Sequence, residues 1–376
     1  MDFTLNEEQT MLEESVARFV QNDYTFESRQ KIVASDLGFS RENWQLFAEL
    51  GWLGIPFAED DGGFGGGAVE SMVMFENFGK GLLVEPYLAT IVLAGGALRL
   101  GGTASQKATL LKQLIEGSAQ GALAYAEPQA RYNLTNVATT AKATDDGYVI
   151  NGQKALVLNG PAADFVIVSA RTQGAQRDHD GISLFVVDAS SEGLQRRDYA
   201  TVDNSRASEM SFNNVAVAAD ALLGELGAGA PILELVIDEG ILALGAEAVG
   251  CMQILCENTV EYCKNRTQFG QPIGKFQVLQ HRMVDMFMEH EQSKSLMYMA
   301  AMRLDDTYGA QAQQVLSALK VQVGKSGRFV GQSAVQLHGG MGMTDELNIG
   351  HYFKRLTAID TLFGNTDFHL DRFGSR

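Results

Sequence analysis

Residues 263–277, CKNRTQFGQPIGKFQ, place a basic side chain beside turn-forming residues, at a break between two helical patterns. Arg266 ends the first pattern, and Phe269, Gly270 and Gly274 follow it closely. A cation at a helix C-terminus interacts favourably with the helix dipole, which is enough to explain a lone arginine. A guanidinium fork beside a turn of fixed geometry also suits bidentate binding of a phosphate or pyrophosphate. The residues alone leave both interpretations open.

A second stretch, QLHGGMGM at residues 336–343, follows another long helical pattern. Glycine is strongly favoured just after a helix end, so a purely structural role explains it. Gly339 and Gly340 would also allow backbone N–H groups to approach an anionic ligand closely. His338 is interpreted as a boundary histidine of this helix end and not as a general base.

Three carboxylates accompany an almost wholly apolar helical pattern. Asp238 and Glu239 precede it, and Glu247 lies within it. A carboxylate among apolar groups has a raised pKa, which suits the abstraction of a proton from carbon. The alternative is that Asp238 and Glu239 are exposed in the first turns of the helix and that Glu247 pairs with an arginine.

Composition excludes several classes of protein. The 376 residues are enough for two or three domains, and a net charge of -17 argues against binding to nucleic acid. No apolar run is long enough to span a bilayer, and no signal peptide is expected. The three cysteines fall in one helical segment, which favours reduced thiols in a cytoplasmic protein. The histidine spacing fits no metal pair, so no metal site is expected.

The periodicity of the chain changes twice. Residues 1–120 are helical in pattern and begin with a capping-box signature at residues 4–7. Residues 121–225 are short β-rich runs, which Asp146-Gly147, Asn151-Gly152 and Asn159-Gly160 separate as predicted turns. Because no long helices alternate with these strands, we expect an antiparallel barrel or sandwich rather than a βαβ nucleotide fold.

Long helical patterns return in residues 226–376. Four helices are predicted, at about 231–263, 276–304, 310–337 and 349–373. Long helices joined by short connections are typical of an antiparallel four-helix bundle. The predicted domains are therefore helical (1–120), β-barrel (121–225) and four-helix bundle (226–376), an α+β multidomain fold.

Four motifs in this order resemble those of the acyl-CoA dehydrogenase family. NRTQFGQPIGKFQVLQ resembles the signature R-x-x-F-G-x-x-I-x-x-x-Q, and QLHGGMG resembles Q-x-x-G-G-x-G. The β-region run YAEP…GYVINGQKALVLNG resembles TEP…INGxKxWITNG, and GIPFAEDDGGFGGG resembles an N-terminal IPEEYGGxG loop. The resemblance covers essentially the whole chain.

The resemblance implies the same three-domain fold, an FAD cofactor and an acyl-CoA thioester as substrate. In the family a glutamate removes the α-proton, the β-hydride passes to flavin N5, and an electron-transfer flavoprotein is the expected acceptor. Matched by position, the role of contacting the FAD pyrophosphate of a neighbouring subunit falls to Arg266, with Phe269 and Gln277 nearby. The residues that match the adenosine-diphosphate loop are Gln336, Gly339 and Gly340.

The positions that contact the flavin ring in the family carry different residues in this chain. Ala126 replaces the threonine before Glu-Pro, and Leu156 and Leu158 replace the tryptophan and threonine of WIT. Phe363 stands where the family has its C-terminal catalytic glutamate. Such losses together resemble the smaller subunit of heteromeric α2β2 acyl-CoA dehydrogenases, in which a partner would mainly hold the FAD.

Some relatives carry the base on an earlier helix. Glu239 is the candidate base there, although it lies one residue before the matching position, which is about 100° of helix rotation. Asp360 and Asp367 are further candidates for the base, and they match the family pattern no better. Asp238 matches an aspartate of the same helix and is the candidate substrate-binding residue.

Three functions follow from this resemblance. The first is the adenosine-diphosphate-contacting subunit of an α2β2 enzyme with a homologous larger subunit. The second is a self-sufficient homotetramer that uses Glu239. The third is a non-catalytic acyl-CoA-binding or scaffolding subunit.

Overall fold

The computed structural model describes residues 4–306 and 308–375, which form two compact units. The described residues of segments 1–31, 67–83 and 241–376 form one, here called the helical unit. Segments 32–66 and 84–240 form the other, here called the sheet unit. Because each unit combines segments that are distant in sequence, the domain boundaries predicted after residues 120 and 225 stay a prediction.

Short helices occupy the first 120 residues. The α-helices are α1 (Glu7–Asn22), α2 (Phe26–Val33), α3 (Arg41–Glu49), α4 (Ala68–Gly81), α5 (Gly96–Gly101), α6 (Ala104–Gln106) and α7 (Lys112–Ile115). A π-helical segment, Leu88–Gly95, leads into α5, and another, Lys107–Leu111, joins α6 to α7. The glycine-rich stretch before α4 is a loop, as predicted. The capping box of α1 is formed by Asn6 and Gln9, two residues later than predicted. Each side chain accepts the other's backbone N–H, at 2.8 and 3.0 Å.

Eight strands of the sheet unit form one sheet. They are β1 (Gly121–Ala124), β2 (Thr140–Thr144), β3 (Gly147–Leu158), β4 (Phe165–Arg171), β5 (Ile182–Asp188), β6 (Leu194–Ala200), β7 (Arg206–Ala218) and β8 (Leu222–Leu223). The order is β6-β7-β3-β2-β4-β5-β8, with β1 beside β4. Pairing is antiparallel except for β1–β4 and β2–β4, which are parallel. Apolar side chains such as Phe185 and Phe212 form its buried core.

One predicted turn of the sheet is wrong. Asn151-Gly152 lies inside β3, where the pairing with β7 shifts register between Ile150 and Gly152. The Asn151 side chain accepts from the Asn214 N–H at 2.8 Å, so the irregularity is a bulge in a continuous strand. A local Asn-Gly signal does not distinguish a bulge from a turn, because both require an unusual backbone conformation.

Three long helices and two shorter ones follow the sheet. They are α8 (Gly229–Asn265), α9 (Gln277–Asp306), α10 (Ala310–His338), α11 (Ile349–Thr361) and α12 (Thr366–Gly374). A small hairpin of β9 (Thr267–Gln268) and β10 (Gln271–Pro272) lies between α8 and α9. In the helical unit, α10 packs against α9, α11 and α12. Its buried apolar residues recur at helical spacing, at Leu316, Leu319, Val323, Val330 and Leu337.

The predicted order of helical, β and helical regions is confirmed, with one correction in the last. The helix predicted at 349–373 is two helices, because the segment Leu362–Asn365 interrupts it. Within the described part of the chain, no helix combines the length and the apolar character needed to cross a membrane.

Candidate cofactor site

The hairpin after α8 holds Arg266 at an exposed position. Its N–H donates to the Tyr262 carbonyl at 2.8 Å, and its carbonyl accepts from the Ile273 N–H at 2.8 Å. The backbone of Arg266 is therefore fixed on both sides. Within residues 4–306 and 308–375, its guanidinium forms no ion pair. A fixed backbone with an unpaired, exposed fork is the arrangement that an anionic ligand requires.

The tip of this hairpin is an exposed aromatic residue in a strained conformation. Phe269 and Gly270 have φ values of 53° and 78°, as a type I′ turn needs. Glycine adopts this region freely, whereas another L-residue loses about 1 to 2 kcal/mol there. Phe269 is 91% exposed, and its ring meets that of Phe276 edge-on at 6.3 Å. Burial within the chain does not offset this strain, which points to a contact outside the chain.

The loop after α10 presents open backbone. Gly339 has a φ of 60°, and its N–H donates to the Gln336 carbonyl. A Cβ at Gly339 or Gly340 would meet no atom within 4 Å in the described chain. The backbone conformation explains glycine at 339, but neither conformation nor packing within the described chain explains it at 340. The side chains of Gln336 and of Gln277, the first residue of α9, are exposed.

Tyr262 connects the two motifs within the helical unit. Its ring stacks on that of His338 with centroids 4.3 Å apart, and its hydroxyl donates to the His338 carbonyl at 3.4 Å. Burial lowers the pKa of His338, whose Nδ1 lies 2.8 Å from the Ala334 carbonyl. A neutral, stacked imidazole agrees with the predicted structural role of His338. The sequence carried no signal for Tyr262, because its partner lies 76 residues away.

Glu239 is paired with an arginine of the sheet unit. The Arg99 guanidinium donates to its carboxylate at 2.5 Å, and both side chains are partly exposed. The pKa of Glu239 is raised, mainly by burial. The charge of Arg99 lowers this pKa and that of Asp238 raises it, but neither reverses the upward shift. Asp238 is buried. It lies in the third turn of α8, which already begins at Gly229. The alternative prediction, that Asp238 is exposed in the first turns of the helix, is therefore wrong.

Glu247 is not a free base. Two nitrogens of Arg355 donate to its two carboxylate oxygens at 2.5 and 2.6 Å, and both side chains are largely buried. This bidentate pair confirms the structural alternative for Glu247. Its partner lies 108 residues away, so sequence reasoning could anticipate the type of partner but not the residue.

The positions that depart from the family pattern carry apolar side chains. The Ala155 N–H donates to the Ala126 carbonyl at 2.9 Å, so Ala126 lies beside β3. Leu156 occupies an irregularity of β3 with a φ of 51° and is exposed. Leu158 ends that strand, and Phe363 is buried in the helical unit. None of these side chains can donate a hydrogen bond or accept a proton.

Comparison with known proteins gives one family for the whole chain. Models of the N-terminal, middle and C-terminal domains of acyl-CoA dehydrogenases match residues 6–118, 122–215 and 227–376. A short-chain specific acyl-CoA dehydrogenase of Megasphaera elsdenii is 32% identical over 88% of each chain.

Solved structures agree over the full length. The FAD complex of PigA has a TM-score of 0.92 and 28% identity, covering 100% of this chain and 98% of that one. The ChsE4-ChsE5 complex from Mycobacterium tuberculosis has a TM-score of 0.91 and 25% identity, with 100% and 98% covered. The predicted family and fold are confirmed, and the prediction of FAD is confirmed at the level of the family. The individual site residues remain predictions.

Proposed function

This chain belongs to the acyl-CoA dehydrogenase family, and on that premise we propose that it is the adenosine-diphosphate-contacting subunit of an α2β2 enzyme. The enzyme would desaturate an acyl-CoA thioester between its α and β carbons. A homologous larger subunit would supply the base and hold most of the FAD, and an electron-transfer flavoprotein would accept the electrons. We place this complex in the cytoplasm, without a nucleic-acid partner.

The adenosine-diphosphate half of FAD fits the residues present. Arg266 offers an exposed, backbone-anchored fork for the pyrophosphate, and Phe269 offers an aromatic face beside it. Gly339 and Gly340 leave space in which a ligand could approach the backbone, and Gln277 and Gln336 add exposed amides. When bound, the flavin supplies the hydride acceptor. The role of these residues is to bind and orient, since none of them transfers the α-proton.

The proposal depends on a difference between the residues matched to the adenosine-diphosphate half of FAD and those matched to the flavin ring. The residues matched to the adenosine-diphosphate half are polar, glycine or aromatic and are exposed, whereas Ala126, Leu156, Leu158 and Phe363 offer no hydrogen-bonding side chain. A chain of this composition can support a cofactor held by another subunit better than it can hold and use a flavin ring itself. The matched ChsE4-ChsE5 structure is itself a complex of two proteins, which supports a heteromeric assembly here.

The proposal is tested by the flavin content of the chain alone and with a larger homologue of the same organism. We expect the isolated chain to be colourless, and the co-purified complex to contain FAD and oxidise acyl-CoA. Replacing the guanidinium in Arg266→Gln should weaken FAD binding by the complex by about ten- to a hundredfold, as loss of a charged hydrogen bond does.

The matched control for that experiment is Arg18→Gln, at an exposed arginine of α1 in the same unit. It should leave FAD binding unchanged. A yellow isolated chain with stoichiometric FAD and acyl-CoA oxidation would reject the need for a partner. A chain that forms no complex and gains no flavin would instead indicate a non-catalytic role.

A self-sufficient homotetramer is the second candidate, because burial raises the pKa of Glu239 toward the range useful for a base. In that case Glu239 would remove the α-proton and Asp238 would contribute to the substrate site. Glu239→Gln should then lower turnover by about a hundredfold or more. Glu234→Gln, on the same helix, is the control. Unchanged turnover of an active Glu239→Gln homotetramer would exclude this candidate.

A further inference from the structure

The segment Leu362–Asn365, here called the α11–α12 turn, holds two consecutive residues in left-handed conformations. Phe363 has a φ of 58° and Gly364 a φ of 116°. The Phe363 side chain is buried, although such a backbone is unfavourable for an aromatic residue. A strained conformation of this kind persists only where the surrounding structure determines it. Two residues of neighbouring helices do so here.

Lys320 of α10 is the first of them. Its side chain is fully buried, and its ammonium donates to the carbonyls of Ile359, Asp360 and Gly364 at 2.6, 3.1 and 2.9 Å. An ammonium has three N–H donors, so every one is used. Two of the carbonyls belong to the last turn of α11, where a cation is also favoured by the helix dipole. The third belongs to the turn itself.

His369 of α12 is the second. Its Nε2 lies 3.1 Å from the Phe363 carbonyl, and its Nδ1 is buried without a hydrogen-bond partner in the described chain. Burial is the largest influence on this imidazole and, with Lys320 nearby, lowers its pKa to about 3. A neutral imidazole with its proton on Nε2 therefore donates to Phe363. Two successive carbonyls of the turn are thus held from two different helices.

The Asp360 side chain closes the far end of the turn. Its Oδ1 accepts from the Thr366 N–H at 3.2 Å and from the Thr366 hydroxyl at 2.9 Å, and Arg328 lies 3.5 Å from Oδ2. Its carboxylate therefore binds α12 and does not form a direct ion pair with Lys320. A buried ammonium bound only to carbonyl dipoles loses most of its hydration, and a methionine would fill a similar volume without that loss. Stability alone does not explain a lysine at this position.

We propose that Lys320 and His369 are positioning residues that hold the backbone of Phe363 in its left-handed conformation and so set the direction of the side chain at position 363. This inference rests on the proposed function, because the motif match assigns that position to the catalytic carboxylate of related enzymes. In the proposed complex the two residues would fix an apolar ring where self-sufficient relatives are expected to hold their base.

Amide hydrogen exchange of the purified full chain tests this inference without flavin, substrate or partner. Two amides depend on the turn, since Leu362 N–H donates to the Ala358 carbonyl at 3.1 Å and Thr366 N–H to Asp360. In Lys320→Met we expect both to exchange about tenfold faster while the rest of the unit is unchanged. Unaltered exchange of both amides in the folded variant would overturn the inference, whatever the fate of the proposed function.

Two further variants make the test decisive. Ser317→Ala removes a buried hydroxyl of the same helix that donates to the Gln313 carbonyl, and it should leave the turn unchanged. Lys320→Arg keeps the charge and the donors, so it should recover much of the lost protection. A Lys320→Arg variant that folds but protects no better than Lys320→Met would show that charge and donors at this position do not hold the turn, and would overturn the inference. If Lys320→Met does not fold, His369→Phe decides, with the same two amides as readout.

The pH dependence of amide protection in the turn distinguishes a positioning role of the Lys320 ammonium from simple packing of its side chain. Burial lowers the pKa of Lys320 to about 7, and Asp360 opposes this shift. Among the described residues, the other charged groups beside the cluster are Arg328 and Arg372. His369 stays neutral near pH 7, because burial lowers its pKa to about 3. A neutral amine has two donors for three carbonyls, so protection of the turn should fall as pH rises through neutrality. Lys320→Met should show no such step, and identical profiles would reject the assigned role.

Discussion

At the scale of single residues, buried charges in this chain are satisfied by partners that are distant in sequence. In the sheet unit, the fully buried ammonium of Lys154 donates to Glu127 at 2.7 Å and to Ser169 at 2.9 Å. Burial lowers the pKa of Lys154 to about 8, and Glu127 opposes this shift. Burial would raise the pKa of Glu127, but Lys154 and neighbouring donors lower it overall. Each charge therefore depends on the other.

Removing one partner of this pair should be costly and pH-dependent. Glu127→Gln leaves the ammonium buried, so we expect a loss of about 3 to 5 kcal/mol in the free energy of unfolding near pH 6. Above the lowered pKa of Lys154, the folded variant has lost the proton of this amine, whereas the unfolded chain still carries it. The unfolded state therefore binds more protons, and the free energy of unfolding should recover as pH rises toward 10. Denaturant unfolding at several pH values measures this.

The control for that experiment is the double variant Glu127→Gln/Lys154→Met, which removes the orphaned charge. Its free energy of unfolding should exceed that of the single variant near pH 6. It should not rise further at high pH. A single variant with a flat pH profile would show that Lys154 stays charged or becomes solvated.

At the scale of elements, two glycines set the distance between α4 and α8 in the helical unit. A Cβ on Gly250 would lie 1.9 Å from the Glu76 carbonyl oxygen, and one on Gly79 would lie 2.1 Å from that of Glu247. Both contacts are with backbone, which cannot move aside as a flexible side chain would. The two helices therefore cross in direct backbone contact.

A methyl group at this crossing should be strongly destabilising. Gly250→Ala must separate the helices, so we expect the free energy of unfolding to fall by about 1 to 3 kcal/mol despite the better helix propensity of alanine. Chemical denaturation provides the measurement. Gly374→Ala is the matched control and should be neutral, because a Cβ there would meet no atom of residues 4–306 or 308–375 within 4 Å. Equal stability of the two variants would contradict the close crossing.

At the scale of the whole molecule, the first half of α9 exposes apolar side chains of the kind that helices of globular proteins usually bury. Val278, Val284, Phe287 and Met288 are each at least half exposed. This face follows the hairpin of Arg266 and Phe269 directly in sequence, so a partner that covers it would also be near the proposed pyrophosphate contact. We therefore expect it to contribute to the proposed assembly.

A charge on this face should weaken the assembly without unfolding the chain. Phe287→Lys places an ammonium at a side chain that is 56% exposed, so the isolated chain should keep its melting temperature. Light scattering coupled to size exclusion should show a smaller species than the unmodified complex. Met11→Lys, at an exposed apolar residue of α1, controls for the added charge. An unchanged mass for Phe287→Lys would exclude this face from the interface.

The sequence by itself determined the family, the helical–β–helical order and the helix ends beside Arg266 and Gly339, because turn chemistry and periodicity are local properties of the chain. It also indicated that Glu247 would need an arginine. Only the tertiary structure identified Arg355 and Arg99 as the partners of Glu247 and Glu239, and only it showed the interruption between α11 and α12. These features depend on contacts between residues far apart in sequence. The buried ammonium of Lys320 belongs to the same class, since in the sequence it is an ordinary lysine of a long helix.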